Sequence, residues 1–294
     1  MTTIRSVLTL IAFVFVPAVA QEFTVKVNSD LVLLDVSVKG RTGYAAGLSK
    51  ENFQIVDSGK PQTITHFSHE DVPVTVGLVI DTSGSMTSKY NQVVTAALVF
   101  MGASNPKDEL FVVNFNDNVT FGLPPDLPFS DNVYALRSAL SMAKPEGRTA
   151  LYDAVVQALD HLDKSTQDKK TLLLVSDGGD NHSTHTLADV IRKVEVSRAT
   201  IYTIGLFDEE DQDRNPGLLR QLSGISGGET FLPKEVSEVT SICRQIAADI
   251  RARYTVGYVP AKVEGQAIHK IKVSASQPGG GKLNIHTRTS YLVP

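Results

Sequence analysis

The chain is poor in the residues that build several common kinds of protein. It has a single cysteine, Cys243, in 294 residues, so no disulfide can form within it. Ile242, Ile246 and Ala247 surround that cysteine in a helical pattern, which makes it a small apolar core residue rather than a reactive thiol. Lys and Arg total 28 against 32 Asp and Glu, a formal net charge of -4. No long basic run occurs, and this argues against nucleic acid as the main partner. His182 and His185 have no cysteine or further histidine beside them, so they read as loop residues rather than zinc ligands. Ser83 does not sit in a G-x-S-x-G elbow, since Asp81 and Ser85 stand where the glycines would be, and no base lies next to Ser83 or Ser85. Past residue 20, no apolar stretch is long enough to span a bilayer.

The first twenty residues stand apart. Arg5 is their only charged side chain, residues 7–16 are almost wholly apolar, and Ala18-Val19-Ala20 closes the run with small residues. This is the pattern of a secretory signal peptide cleaved after Ala20. No cysteine follows to accept a lipid. The expectation is a secreted or periplasmic protein with no transmembrane segment after cleavage.

Beyond the leader the texture changes twice. Residues 23–70 alternate as short strands: Phe23, Val25 and Val27, then Val32, Leu34, Val36 and Val38, with turns at residues 40–43 and 57–60. Residues 73–251 alternate apolar strands with helices, which implies an α/β fold with a doubly wound, mostly parallel sheet. Helix starts are expected at Asp131 as a cap, at Thr186 as a cap, and at Pro216 in a first turn. Residues 252–294 return to β-structure, with Tyr254, Val256 and Tyr258 alternating. Neither flank has many strands alone, so the economical arrangement is one β-sandwich made by both flanks, with the α/β part inserted.

Three segments carry chemistry. Asp81-Thr82-Ser83-Gly84-Ser85 follows the first apolar strand, Gly147-Arg148-Thr149 precedes a helix, and Ser176-Asp177-Gly178-Gly179-Asp180 follows another strand. In an open parallel sheet such loops gather at one edge, where ligands bind. Ser83, Ser85 and Thr149 bring neutral hydroxyls, and Asp81 and Asp177 bring charge. These hard oxygens suit a magnesium-type cation, with manganese or calcium as alternatives. A metal held by few direct carboxylates stays electrophilic towards an Asp or Glu of a protein partner. A simpler reading has Asp81, Ser83 and Ser85 only capping the following helix. Asp153 either supports the threonine loop or favours its helix start. The run 208–211 reads as a solvated acidic loop.

The pattern resembles the metal-ion-dependent adhesion site of von Willebrand factor type A domains, in which a D-x-S-x-S turn, a threonine and an aspartate from two further loops hold one divalent ion. Asp81, Ser83, Ser85, Thr149 and Asp177 match all five residue types. The resemblance covers roughly residues 73–251. The flanks are similar to exported, von Willebrand-A-related proteins of Acidobacteria, through Leu48-Ser49-Lys50-Glu51-Asn52-Phe53 and Arg253-Tyr254-Thr255-Val256-Gly257-Tyr258. Arg148 departs from the family, where many relatives have a second glycine, and it puts a cation near the expected metal. The resemblance implies a non-enzymatic binding or adhesion protein. A metal-dependent hydrolase or phosphotransfer enzyme is the alternative. Against it, Ser83 stands where the haloacid-dehalogenase type needs a second aspartate, and Lys169 and Lys170 precede their strand. A structural component of an envelope assembly is the third reading.

Overall fold

Nine residues of strand open the architecture, and their partners come from the far end of the chain. The computed structural model describes residues 31–208, 213–260, 268–277 and 279–292. The expected leader and the alternating Phe23, Val25 and Val27 lie outside these. The first flank carries β1 (Val32–Gly40), β2 (Gly43–Tyr44), β3 (Phe53–Asp57), β4 (Lys60–Gln62) and β5 (Ile64–Ser68). The middle carries β6 (Val74–Asp81), α1 (Tyr90–Ala103), β7 (Glu109–Phe115), β8 (Val119–Phe121), α2 (Val133–Ser141) and α3 (Leu151–Leu162). It continues with β9 (Lys169–Ser176), α4 (Leu187–Val196), β10 (Thr200–Gly205), α5 (Pro216–Ser226), β11 (Thr230–Phe231) and α6 (Val239–Arg251). The second flank adds β12 (Tyr254–Tyr258), β13 (Ile268–Ala275), β14 (Asn284–His286) and β15 (Ser290–Leu292).

The middle segment forms a six-stranded sheet in the order β11-β10-β9-β6-β7-β8. Every neighbouring pair is parallel except β7 and β8. All eight residues of β6 are buried, as a strand covered by helices on both faces requires. Chain order runs outward from β6 in both directions, to β7 on one side and β9 on the other. The sheet's switch point therefore lies between β6 and β9, where Ile80 pairs with Val175. Ligands of open α/β sheets bind in the crevice outside the carboxyl ends at such a point.

Helix ends follow local chemistry. Asn132, not Asp131, caps α2: its side chain accepts the amides of Tyr134 and Ala135. Asp131 sits one residue too early to reach those donors. Thr186 caps α4 through a reciprocal box with Asp189. Pro216 stands in the first turn of α5. Cys243 lies in the core on α6, and burial pushes its thiol up to about 12.

The flanks complete each other. One sheet runs β14-β1-β12-β5 with β2 on β1, and the other β15-β13-β3-β4. β12 lies between β1 and β5, and β13 pairs with β3, so neither flank owns a whole sheet. Leu34, Val36, Phe53, Ile55, Tyr254, Val256 and Tyr258 fill the sandwich core. The fold class expected from the sequence, a doubly wound sheet with a sandwich from both flanks, is the one observed.

The two layers meet at a buried polar node. Asp249 near the end of α6 accepts from Ser37 of β1 at 2.6 Å and from the Tyr202 hydroxyl of β10. Arg253, 3% exposed, donates to Asp249 at 3.1 Å, to the Asp35 carbonyl at 3.2 Å and to the Gly227 carbonyl at 2.8 Å. Burial raises the Asp249 carboxyl, but Arg253, Ser37, Tyr202 and Lys39 together bring it below its ordinary value.

Candidate metal centre

Asp81 ends β6 fully buried. One carboxylate oxygen accepts the Ser83 amide at 2.8 Å, and the other accepts the Ser176 hydroxyl at 2.6 Å. The chain then turns through a short 3-10 segment, Gly84–Met86, before α1. The side chain of Ser83 caps nothing, and α1 has no side-chain cap at all. Capping therefore does not explain the motif. Instead the Ser83 and Ser85 hydroxyls lie 3.0 Å apart, and Ser85 donates to the Asp177 carboxylate at 2.6 Å. The other Asp177 oxygen accepts the Gly179 amide at 2.9 Å. Asp81, Ser83, Ser85 and Asp177 thus form one connected cluster at the switch point.

Thr149 arrives by backbone stitching. The Gly84 amide donates to the Gly147 carbonyl at 3.1 Å, and the Glu146 amide to the Thr82 carbonyl at 2.9 Å. The Thr149 amide donates to Asn181 at 2.9 Å, and its carbonyl accepts the amides of Asn181 and His182, both at 3.0 Å. Its hydroxyl has no hydrogen-bond partner among the described residues. Two glycines allow the loops to close. Gly147 has φ +78, and a Cβ there would stand 1.9 Å from the Asp117 carboxylate. Gly178 has φ +81, and a Cβ there would stand 2.5 Å from the Asn215 carbonyl oxygen. Any side chain at either position would meet both strain and collision.

The electrostatics are those of a cluster with acid and no base. Burial and then the neighbouring Asp177 charge push the Asp81 carboxyl up to about 6, against the opposing bonds from Ser176 and Ser83. Lys89 is buried nearby in sequence, but its ammonium binds the Leu206 carbonyl at 3.2 Å and Asp208 at 2.8 Å. Among the described residues, no Lys, Arg or His pairs with Asp81 or Asp177. Nor do three His, Cys, Asp or Glu side chains among them form a group that could hold a metal ion. With two carboxylates and otherwise hydroxyl oxygens, the cluster's chemistry fits a hard cation that keeps part of its water, rather than zinc.

Several neighbours take roles that the sequence left open. Arg148 donates to Asp117 at 2.9 Å and to His182 at 3.2 Å, so its charge is paired at the rim. The bond from Arg148 holds Asp117 below the usual carboxylate range. Asp153 accepts the amides of Thr184 and His185 and the His185 ring at 2.7 Å. It anchors the loop after Asp177 rather than the threonine loop itself. Asp180 accepts the Tyr152 amide at 3.1 Å and the Ser183 hydroxyl at 2.5 Å. Sequence reasoning assigned no role to Ser176 or Asn181. Ser176 was visible inside its motif, one residue before Asp177. Nothing local marked Asn181, whose work is to hold a loop more than thirty residues away.

Comparison with known proteins bears on the domain and its fold. Residues 76–179 match the family model of the von Willebrand factor type A domain. Inter-alpha-trypsin inhibitor heavy chain H4 of Homo sapiens is 25% identical over 241 residues, which cover 75% of this chain and 25% of that protein. The Bos taurus counterpart is 27% identical over 173 residues, 56% of this chain and 19% of that protein. The chain thus spans a quarter or less of the length of these curated relatives. Among solved structures, the von Willebrand factor type A protein from Catenulispora acidiphila superposes with a TM-score of 0.55 at 16% identity, over 91% of this chain and 75% of that one. The vWF domain of the type V pili tip protein Mfa5 from Porphyromonas gingivalis gives 0.50 at 14% identity, over 61% and 95%. The structural likenesses carry the fold.

Proposed function

From the premise that the chain carries a von Willebrand factor type A domain, we propose that it is an exported binding module that engages a protein partner through a divalent cation at Asp81, Ser83, Ser85, Thr149 and Asp177. The observation that carries this reading is the gathering of two carboxylates and two serine hydroxyls into one hydrogen-bonded cluster, with the Thr149 loop stitched beside it. When bound, a magnesium-type ion would supply an electrophilic position for an Asp or Glu carboxylate from outside.

The chain's own residues do the rest. Ser176 and the Ser83 amide orient Asp81. The Gly179 amide orients Asp177. Asn181 and the Gly147 carbonyl hold the threonine loop in place. With Asp117 paired to Arg148, the rim stays close to neutral at that edge. Interaction and adhesion are the usual work of this domain type, and one structural neighbour is the vWF domain of a type V pili tip protein. Export rests on the leader pattern of residues 1–20. No helix among the described residues is long and apolar enough to cross a membrane.

The enzymatic alternative gains nothing from the geometry. Lys169 begins β9, at the opposite end of that strand from Asp177, and its ammonium stands 4.0 Å from Asp35. A phosphotransfer site would need a lysine beside the acidic loop. Affinity capture from the envelope fraction tests the proposal. With magnesium, the wild type retains a partner that chelator releases, and Asp177→Ala retains none. A partner held equally well in chelator by both proteins would refute the metal's role.

A further inference from the structure

Arg148 stands one residue before Thr149, so its Cα lies about 3.8 Å from that of an expected metal ligand. Three contacts fix it. Its amide donates to one Asp117 oxygen at 3.3 Å, its Nε to the other at 2.9 Å, and its Nη2 to the His182 ring at 3.2 Å. The side chain is nevertheless 60% exposed.

The threonine loop does not need the guanidinium to keep its shape. The Ala150 amide donates to the Asn116 carbonyl at 2.8 Å, and the Thr149 amide to Asn181 at 2.9 Å. With the Gly84 amide on Gly147 and the Arg148 amide on Asp117, these bonds already tie the loop on three sides. What the guanidinium adds is directed donors. It carries five N–H groups in one plane, and Asp117 and His182 take two of them. Nη1 has no partner among the described residues. Together with Nη2 it forms the end of the fork, a shape that matches the two oxygens of a carboxylate.

Two other cations near the cluster are engaged elsewhere. Lys89 is buried on the Leu206 carbonyl and Asp208. Arg214 donates Nη1 to the Asp208 carbonyl at 3.4 Å. Arg148 directly adjoins a ligand, and Asp117 holds it still without burying it. A side chain already immobilised loses little entropy when a partner arrives, and arginine is enriched among the residues that dominate binding at protein interfaces.

We propose that Arg148 is a second anchor for the partner, which presents two acidic side chains on one short segment. One carboxylate goes to the metal and the other to the free end of the Arg148 guanidinium. This rests on the reading of a metal-dependent site.

Calorimetric titration of the whole purified chain in saturating magnesium tests it. The probes are malonate, succinate, glutarate and adipate, with their monomethyl esters as single-carboxylate controls. At least one diacid should bind the wild type about tenfold more tightly than its ester. Arg148→Ala should bind the two alike, with its unfolding midpoint unchanged. Arg148→Lys keeps the charge and loses the fork, and it should fall between. Equal affinity of every diacid and its ester for the wild type would overturn the second anchor and leave the metal standing. So would a tenfold preference retained by Arg148→Ala. Ester binding that survives chelator, or no binding of any probe in magnesium, would overturn the metal reading and the anchor with it.

Discussion

Two buried carboxylates in this molecule meet the same problem in opposite ways. Asp249, between the sheet and the sandwich, has Arg253 bonded to it and lies below its ordinary pKa. Asp81, at the switch point, has no cationic partner among the described residues, faces the charge of Asp177, and is pushed up to about 6. Both are almost wholly inaccessible. The difference teaches where a buried carboxylate is matched by a counter-charge and where it is matched by hydroxyl and amide donors alone. Around Asp249, the counter-charge is part of the chain and the node holds two layers together. Around Asp81, the described residues supply oxygen atoms only, and the proposal assigns the missing positive charge to a cation from solution.

Breaking the complete node should have the largest effect. Arg253→Met leaves Asp249 buried without its main partner, and removing one member of a buried ion pair costs about 3–5 kcal/mol. Urea unfolding should report a loss of that size, in one transition that includes both sandwich and α/β signals. A loss under about 1 kcal/mol would show that the node is not what couples the layers.

Relieving the incomplete site should have a smaller effect of opposite sign. The Asp81 carboxyl is raised in the folded state, so its ionisation opposes folding. The penalty is absent near pH 4, develops as the pH rises to about 6, and is fully present at pH 7. In chelator, Asp81→Asn should therefore stabilise the protein at pH 7 by about 2 kcal/mol and change little at pH 4. An equal gain at both pH values would mean that charge repulsion is not its cause.

The rim should matter least. Arg148→Ala removes an exposed pair with Asp117, and exposed pairs contribute little. No measurable shift in the unfolding midpoint is expected, with or without magnesium. If instead this substitution weakened magnesium-dependent stabilisation, the Arg148 charge would be acting on the site itself.

Much of this was legible in the sequence where the chemistry is local. Residues of β6 and β9 form apolar runs because helices cover them on both faces, and Asp81, Ser83, Ser85 and Asp177 sit at strand ends where such runs stop. What was not legible depends on distance along the chain. Arg148 and Asp117 are 31 positions apart, and only the folded loops reveal that they meet. The roles of Ser176, Asn181 and Arg253 are likewise created by tertiary neighbours. Asn132 took the α2 cap from Asp131 because cap geometry depends on a single residue's backbone angles, which a pattern of residue types does not resolve.

The central claim is that the Asp81 and Asp177 pair is completed by a cation from solution. Urea unfolding of the wild type and of Asp177→Ala, each in magnesium and in chelator, tests it most directly. At a hundredfold excess over Kd, magnesium should stabilise the wild type by about 3 kcal/mol and leave Asp177→Ala unmoved. A wild type indifferent to magnesium, manganese and calcium, or an Asp177→Ala protein stabilised as much as the wild type, would contradict it.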